Sequence, residues 1–367
     1  MPKAAIMSAP RKAIEIREFP TPDLEPGAIL LETIVTEVCG TDVHLHHGRL
    51  AGVPYPIIPG HVSVGRIAAL RNVAADALGT PLTEGDVVTF YDVHGTCGRC
   101  YQCLVARQPN RCPERRVYGI TFSADDGLLG GWAEQIYLKP GVLTVKLPDD
   151  LSPDTVIGGG CGLFTGFAAV ERADVPMGAT VLVQGAGPVG IATAAFAVLR
   201  GAARVIVIGA PQARLDLVKR FGADVTLLLE ATPPHEREEI VRDLTGGRGV
   251  DVAIEAAGSP AAVPEGLRLL RDGGTYVIAG HYTDVGPVNL NIHQDVNRKH
   301  AQVRGQWGTD FTHVVRALAL LARHREVLPF ADVIGARYSL QDAGRALADV
   351  EALRVTKAVI SPNGVTA

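Results

Sequence analysis

The spacing of apolar positions changes character part-way along the chain. Over residues 1–150 the apolar runs are short and separated by turns rich in proline and glycine: Ile29–Val35, Val87–Phe90, Ala133–Leu138 and Leu143–Leu147. Runs of this length bounded by turn residues predict short strands, and their number predicts a barrel-like β unit. Residues 149–178 look helical and connecting. Beyond them, apolar β-branched runs at Val181–Gln184, Val205–Ile208, Val250–Ile254 and Tyr276–Ala279 alternate with helical patterns near 188–200, 212–221, 236–244 and 261–271. Continuous apolar strands between amphipathic helices mark βαβ units around a buried parallel sheet. His313–Arg323 again has helical spacing, and Ala358–Ile360 reads as a strand. There is no internal repeat and no low-complexity tract.

The length of 367 residues agrees with two domains, and 47% hydrophobic residues suffice for a large core. A net charge of −4 argues against nucleic acid or an anionic membrane as the main partner, because both reward a basic face. The stretch from Ala179 to Leu199 is uncharged, but the glycines and proline of Gly185–Gly190 interrupt it, so it is not read as a membrane span. The first residues contain no apolar signal core. The six cysteines therefore read as reduced, metal-binding thiols in a cytoplasmic protein.

Four of these cysteines form the comb Cys97-x2-Cys100-x2-Cys103-x8-Cys112, a strong pattern for a structural zinc held by four thiolates. Gly185-Ala186-Gly187-Pro188-Val189-Gly190 directly follows a strand and opens a helix. In that context it reads as a dinucleotide loop: Gly185 makes the tight turn, Gly187 lets backbone approach a pyrophosphate, and Gly190 lets helix pack on strand. The second strand of such a fold ordinarily ends in an acid that binds the ribose of NAD. Here it ends in Gly209. The nearest arginine for a 2′-phosphate is Arg214, on the next helix. NAD and NADP both stay open, and the lack of an arginine directly after Gly209 tips the balance slightly to NAD.

The remaining cysteines, Cys39 and Cys161, combine with His61 into a Cys2His set, which suits a catalytic zinc with one open position. These segments carry a family resemblance. Cys39-Gly40-Thr41-Asp42, Gly60-His61, the cysteine comb, Gly130-Gly131-Trp132-Ala133-Glu134, Cys161-Gly162-x-x-Thr165-Gly166, the glycine loop and Phe221-Gly222-Ala223-Asp224 resemble the medium-chain zinc-dependent alcohol dehydrogenases almost end to end. The resemblance implies an α/β protein: a GroES-like β-barrel catalytic domain over 1–160 and 306–367, and a Rossmann doubly wound parallel-sheet domain over 161–305. It implies reversible oxidation of a primary or secondary alcohol with NAD or NADP, and two zinc ions per chain. Cys39, His61 and Cys161 would hold the catalytic zinc, and Cys97, Cys100, Cys103 and Cys112 the structural one.

The same resemblance casts Asp42 as the partner that orients His61, Thr41 as the acceptor of the alcohol proton and His44 as its relay. Thr165 and Val189 would pack on the nicotinamide, with Gly185, Gly187, Pro188 and Gly190 around the phosphates. It implies a homodimer or homotetramer acting on a small-molecule alcohol or carbonyl. Two departures stand out. Val62 replaces the glutamate that usually follows the ligand histidine, which removes a carboxylate near the metal. The Cys103–Cys112 spacing is one residue longer than usual. Rival readings are a polyol or amino-alcohol dehydrogenase of the sorbitol or threonine type, and a nucleotide-binding regulatory protein without catalysis. Tyr55, Phe164 and Trp307, as candidate pocket walls, favour an apolar alcohol.

Overall fold

The computed structural model describes residues 1–364. The chain divides into two compact units: Met1–Gly160 with Asp310–Arg325 and the residues from Phe330 onward, and Cys161–Thr309 with Glu326–Pro329. The return to the first unit thus falls at Asp310 rather than at 306.

The first unit is built on a seven-stranded sheet whose hub is the strand Ile29–Val38. Its ten residues, ILLETIVTEV, are long enough to serve three antiparallel neighbours. Ser63–Leu70 runs along one edge. The other edge is shared, Gln135–Leu138 pairing with residues 29–32 and Lys357–Ile360 with residues 36–38. Val87–Phe90 and Thr144–Lys146 extend the sheet on one side, and Ile334–Tyr338 extends it on the other. The packed interior includes Leu31, Ile67, Tyr118, Trp132 and Ile136. Trp132 meets its one polar need by donating its indole N–H to the carbonyl of Glu37, at 3.1 Å.

The second unit is a six-stranded sheet in which every pairing is parallel. Its spatial order is Val225–Leu228, Arg204–Gly209, Thr180–Gln184, Val250–Glu255, Leu270–Ile278, Gln302–Gly305. In chain order this is 3-2-1-4-5-6, the doubly wound arrangement, with its switch point between Thr180–Gln184 and Val250–Glu255. The middle residues of the central strands, Val181–Val183, Val205–Ile208 and Val252–Ile254, are apolar and buried because both faces are covered. The expected architecture, barrel unit plus Rossmann unit, is the one observed.

One helix ends earlier than the sequence pattern predicts. The helix expected over 261–271 stops at Leu269, and Leu270 opens a nine-residue strand. The stop is imposed from a distance: Lys299 Nζ donates to the carbonyls of Leu267, Arg268 and Leu270 at 2.7–2.9 Å. It thereby satisfies acceptors that the helix end leaves orphaned. The charge-free stretch 179–199 resolves into a strand, a turn and the helix Pro188–Leu199. Among the described residues no helix is long and apolar enough to cross a membrane. Replacing the capping lysine (Lys299→Ala) should strip three carbonyls at once and lower stability by about 2 kcal/mol, read as a lower urea midpoint at unchanged m-value.

Candidate functional site

The hub strand delivers the first part of the site. Side chains at positions i and i+2 of a strand share a face, so Glu37 and Cys39 point the same way. Cys39 then caps the helix Gly40–His46, with its N–H held by Asp42 Oδ2 at 2.8 Å. His61 enters across a turn that only glycine fits. Gly60 has φ +87°, and a Cβ there would meet Trp132 Cδ1 at 2.6 Å and Thr36 Oγ1 at 2.9 Å. Gly131 is equally tight, with Ser63 Oγ 2.1 Å from where its Cβ would sit. Cys161 follows a break in the helical run Pro153–Ala173, where Gly160 takes φ 53° and ψ −144°. Donor atoms of Glu37, Cys39, His61 and Cys161 all lie within 4.8 Å of one another.

Two soft thiolates, an imidazole and a carboxylate at this separation fit a tetrahedral zinc. Thiolates at about 2.3 Å from the ion would sit about 3.8 Å apart, so the set needs only slight contraction. Glu37 is the member that sequence reasoning missed. It is fully buried, 3.6 Å from His61 Nε2 and 2.5 Å from Lys357 Nζ, itself 1% exposed. Lys357 also donates to the carbonyl of Gly159, at 3.3 Å. A Cβ on Gly160 would fall 2.0 Å from Glu37 Oε2 and 2.3 Å from Lys357 Nζ, so the break in the helix is also the room this ion pair occupies. The carboxylate expected to be absent because of Val62 is therefore supplied from another strand. The signal available in the sequence was parity: Glu37 stands two residues from Cys39, whereas Glu32 falls on the opposite, exposed face.

Other groups shape the field. Asp42 is buried, which raises its pKa, while the charge of His61 and the Cys39 N–H pull it back down. Asp92, also unforeseen, is raised by burial and lowered by the charges of His61 and Arg115. His44 lies on the Gly40–His46 helix with Thr41. Burial, then the charges of Arg49 and His47, hold it below the ordinary histidine value.

The comb closes as a second donor set. Cys97, Cys100, Cys103 and Cys112 place their sulfurs within 4.8 Å of one another, with Cys97 and Cys112 at 3.6 Å and Cys100 and Cys112 at 3.9 Å. The backbone N–H of Arg99, ahead of other contacts, draws Cys97 down to about 7, while burial pushes Cys103 up to about 12. Between Cys103 and Cys112 the chain passes from a short helix, Tyr101–Leu104, to a turn at Pro109–Arg111, with Arg107 at φ 53°.

In the second unit the glycine loop opens the Pro188–Leu199 helix, with Gly187 as its N-cap. A Cβ at Gly190 would lie 1.9 Å from the Gly185 carbonyl oxygen, and one at Gly185 would lie 2.8 Å from that of Ala256. At Gly187 nothing stands within 4 Å, so this glycine leaves open space at a helix N-terminus. Gly209 packs on the same loop: its Cβ would meet that of Ala186 at 2.6 Å, which explains why no acid ends this strand. Val189 and Thr165 lie on helices of this unit, and Gly162 abuts Pro188. Arg214 is 9% exposed on the helix Gln212–Lys219, and burial lowers its pKa.

Residues 25–149 match the alcohol dehydrogenase GroES-like domain model, and residues 188–323 match the zinc-binding dehydrogenase model. The chain is 35% identical, over 362 residues and 98% of both chains, to 5-exo-hydroxycamphor dehydrogenase of Pseudomonas putida. This chain belongs to the medium-chain zinc-dependent alcohol dehydrogenases. A solved alcohol dehydrogenase from Thermotoga maritima superposes with a TM-score of 0.94 at 33% identity, covering 98% of this chain and 99% of that one. A Sinorhizobium meliloti 1021 protein solved with NADP superposes at 0.85 and 27% identity, covering 99% of each.

As a medium-chain alcohol dehydrogenase the chain is an oxidoreductase of alcohols and carbonyls. Within it, the candidate pocket walls are tied down differently. Tyr55 gives its hydroxyl to the Leu45 carbonyl, Phe164 is buried, and Trp307 stacks on Tyr282 with ring centroids 5.5 Å apart. The close approach at Gly209 yields a prediction against intuition. Installing the missing acid (Gly209→Asp) should push on Ala186, destabilise the protein by about 1–3 kcal/mol and weaken NADH binding in a fluorescence titration; tighter NADH binding would refute it.

Proposed function

We propose that the chain is a zinc- and NAD(P)-dependent alcohol dehydrogenase with two zinc ions, acting on an apolar primary or secondary alcohol. The observation that carries the reading is the convergence of Cys39, His61, Cys161 and Glu37, whose donor atoms lie within 4.8 Å of one another. When bound, zinc would polarise the alcohol oxygen as a Lewis acid and the nicotinamide would accept the hydride. The protein's own groups do the rest. Thr41 takes the alcohol proton, and His44 passes it on toward solvent. His44 suits this because its depressed pKa keeps it neutral, and so able to accept, to lower pH than an ordinary histidine.

Glu37 adds a carboxylate that can lean on the ion, while Lys357 holds its other side. Asp42 fixes the backbone of Cys39 and bears electrostatically on His61. Cys97, Cys100, Cys103 and Cys112 would hold the second ion. Gly185, Gly187, Pro188 and Gly190 would receive the pyrophosphate end of the cofactor, and Thr165 and Val189 its nicotinamide. NAD is the favoured cofactor, since Gly209 is followed by no arginine, and Arg214 is largely buried. The named substrate of the Pseudomonas putida relative, a hydroxycamphor, supports a bulky apolar secondary alcohol over a polyol. A homodimer or homotetramer in the cytoplasm completes the proposal.

The deciding assay is a panel of apolar alcohols and polyols run with NAD+ and NADP+, following the reduced cofactor. Three variants accompany it. Cys39→Ser should lose one of two zinc equivalents by elemental analysis together with all measurable turnover; full activity without that zinc would defeat the assignment. Glu37→Gln should release zinc to a chelator about 10-fold more readily. His44→Gln should lower kcat about 100-fold. It should also erase the acid limb of the wild-type profile, where activity falls as pH drops through the depressed His44 value and the imidazole becomes charged.

A further inference from the structure

The helix Gly40–His46 ends beside the last residue of the helix Ala343–Glu351. There His46, His47 and Glu351 each present a donor atom, and the three atoms lie within 4.8 Å of one another. None belongs to either cysteine set. His46 Nε2 is 3.2 Å from the carbonyl oxygen of Lys12. A carbonyl can only accept, so Nε2 carries the proton and Nδ1 carries the lone pair. That Nδ1 is buried and has no hydrogen-bond partner among the described residues. An imidazole that gives its N–H to a backbone carbonyl and keeps its other nitrogen bare is oriented as metal-ligating histidines are. Beside it, the His47 ring centroid is 5.7 Å away, and His47 Nε2 shares a hydrogen bond of 2.5 Å with Glu351 Oε1. The side chain of Glu351 is 45% exposed, so an ion can reach the cluster from solvent.

We propose that His46, His47 and Glu351 form a further metal site that takes a divalent transition ion. Two imidazoles and one carboxylate suit Zn2+, Ni2+ or Cu2+. Mg2+ and Ca2+ want more oxygen ligands than the cluster has. On binding, the ion takes the place of the proton shared by His47 and Glu351, and that proton leaves to solvent. The ion then ties the end of the helix that begins at Cys39 to the helix ending at Glu351. The site stands whether or not the dehydrogenase reading does, because its ligands lie outside that machinery.

The experiment is equilibrium dialysis of untagged, zinc-loaded protein against micromolar Ni2+, with metals counted by elemental analysis. Wild type should take up one Ni2+ per chain without losing zinc, and should melt at a higher temperature when Ni2+ is present. His47→Gln and Glu351→Gln should bind Ni2+ at least 10-fold more weakly and lose the Ni2+-dependent rise in melting temperature. His235→Gln, at an exposed histidine elsewhere, should behave as wild type. Melting without Ni2+ reports whether each variant is folded. No Ni2+ uptake by wild type, or equal uptake by wild type and both ligand variants, overturns the proposal.

Discussion

The barrel unit depends on one buried ion pair. Glu37 and Lys357 come from strands 320 residues apart and meet at 2.5 Å with almost no solvent. Taking two charges out of water costs several kcal/mol each, and their mutual attraction offsets this only when the remaining polar atoms are also satisfied. Strand register brings them together: Glu37 stands opposite Val359, and Lys357, two residues earlier, shares the face of Val359. In the proposed zinc site Lys357 would set a positive charge beside the two thiolates and the Glu37 carboxylate, with Asp42 and Asp92 buried nearby.

In the second unit the governing constraint is close approach rather than charge. Strand ends and loop touch through glycines at 185, 190 and 209, where added methyl groups would fall 1.9–2.8 Å from neighbouring atoms. Gly187 alone in that loop faces open space. Glu255 sets the opposite wall. Fully buried, it accepts hydrogen bonds from the backbone N–H groups of Ala257, Gly258 and Gly280 and from His281 Nδ1, so the loops after two adjacent strands are fixed by one carboxylate. The absence of an acid at 209 follows from this packing: the strand comes too near Ala186 to carry any side chain.

Much of this architecture was legible in the chain, because apolar runs of period two and helical patterns of period 3.6 report burial directly. The central parallel strands, the comb and the glycine loop all announce themselves through local sequence. What stayed hidden depends on partners remote in sequence. Gln302–Gly305 is an edge strand with a polar, exposed face, so it has no apolar run to betray it. The helix end at Leu269 is fixed by Lys299, thirty residues on. Glu37 looks like one more polar position in a half-buried strand until Lys357 arrives from the far end of the chain.

The short helix Gly40–His46 links these themes. Cys39 sits at its cap, its carbonyl accepting from the Asp42 N–H while Asp42 clasps the Cys39 N–H. That end of a helix favours an anion, as Cys39 would be in the proposed site. Its last turn exposes carbonyl oxygens and favours a cation, and His46 and His47 stand there with Glu351 beside them. His44 lies between, about one turn from either end, and its pKa is lowered in part by His47. A helix of seven residues thus connects the proposed ligand Cys39, the proposed relay His44 and the proposed cation-binding end, and the Ala343–Glu351 helix packs against it.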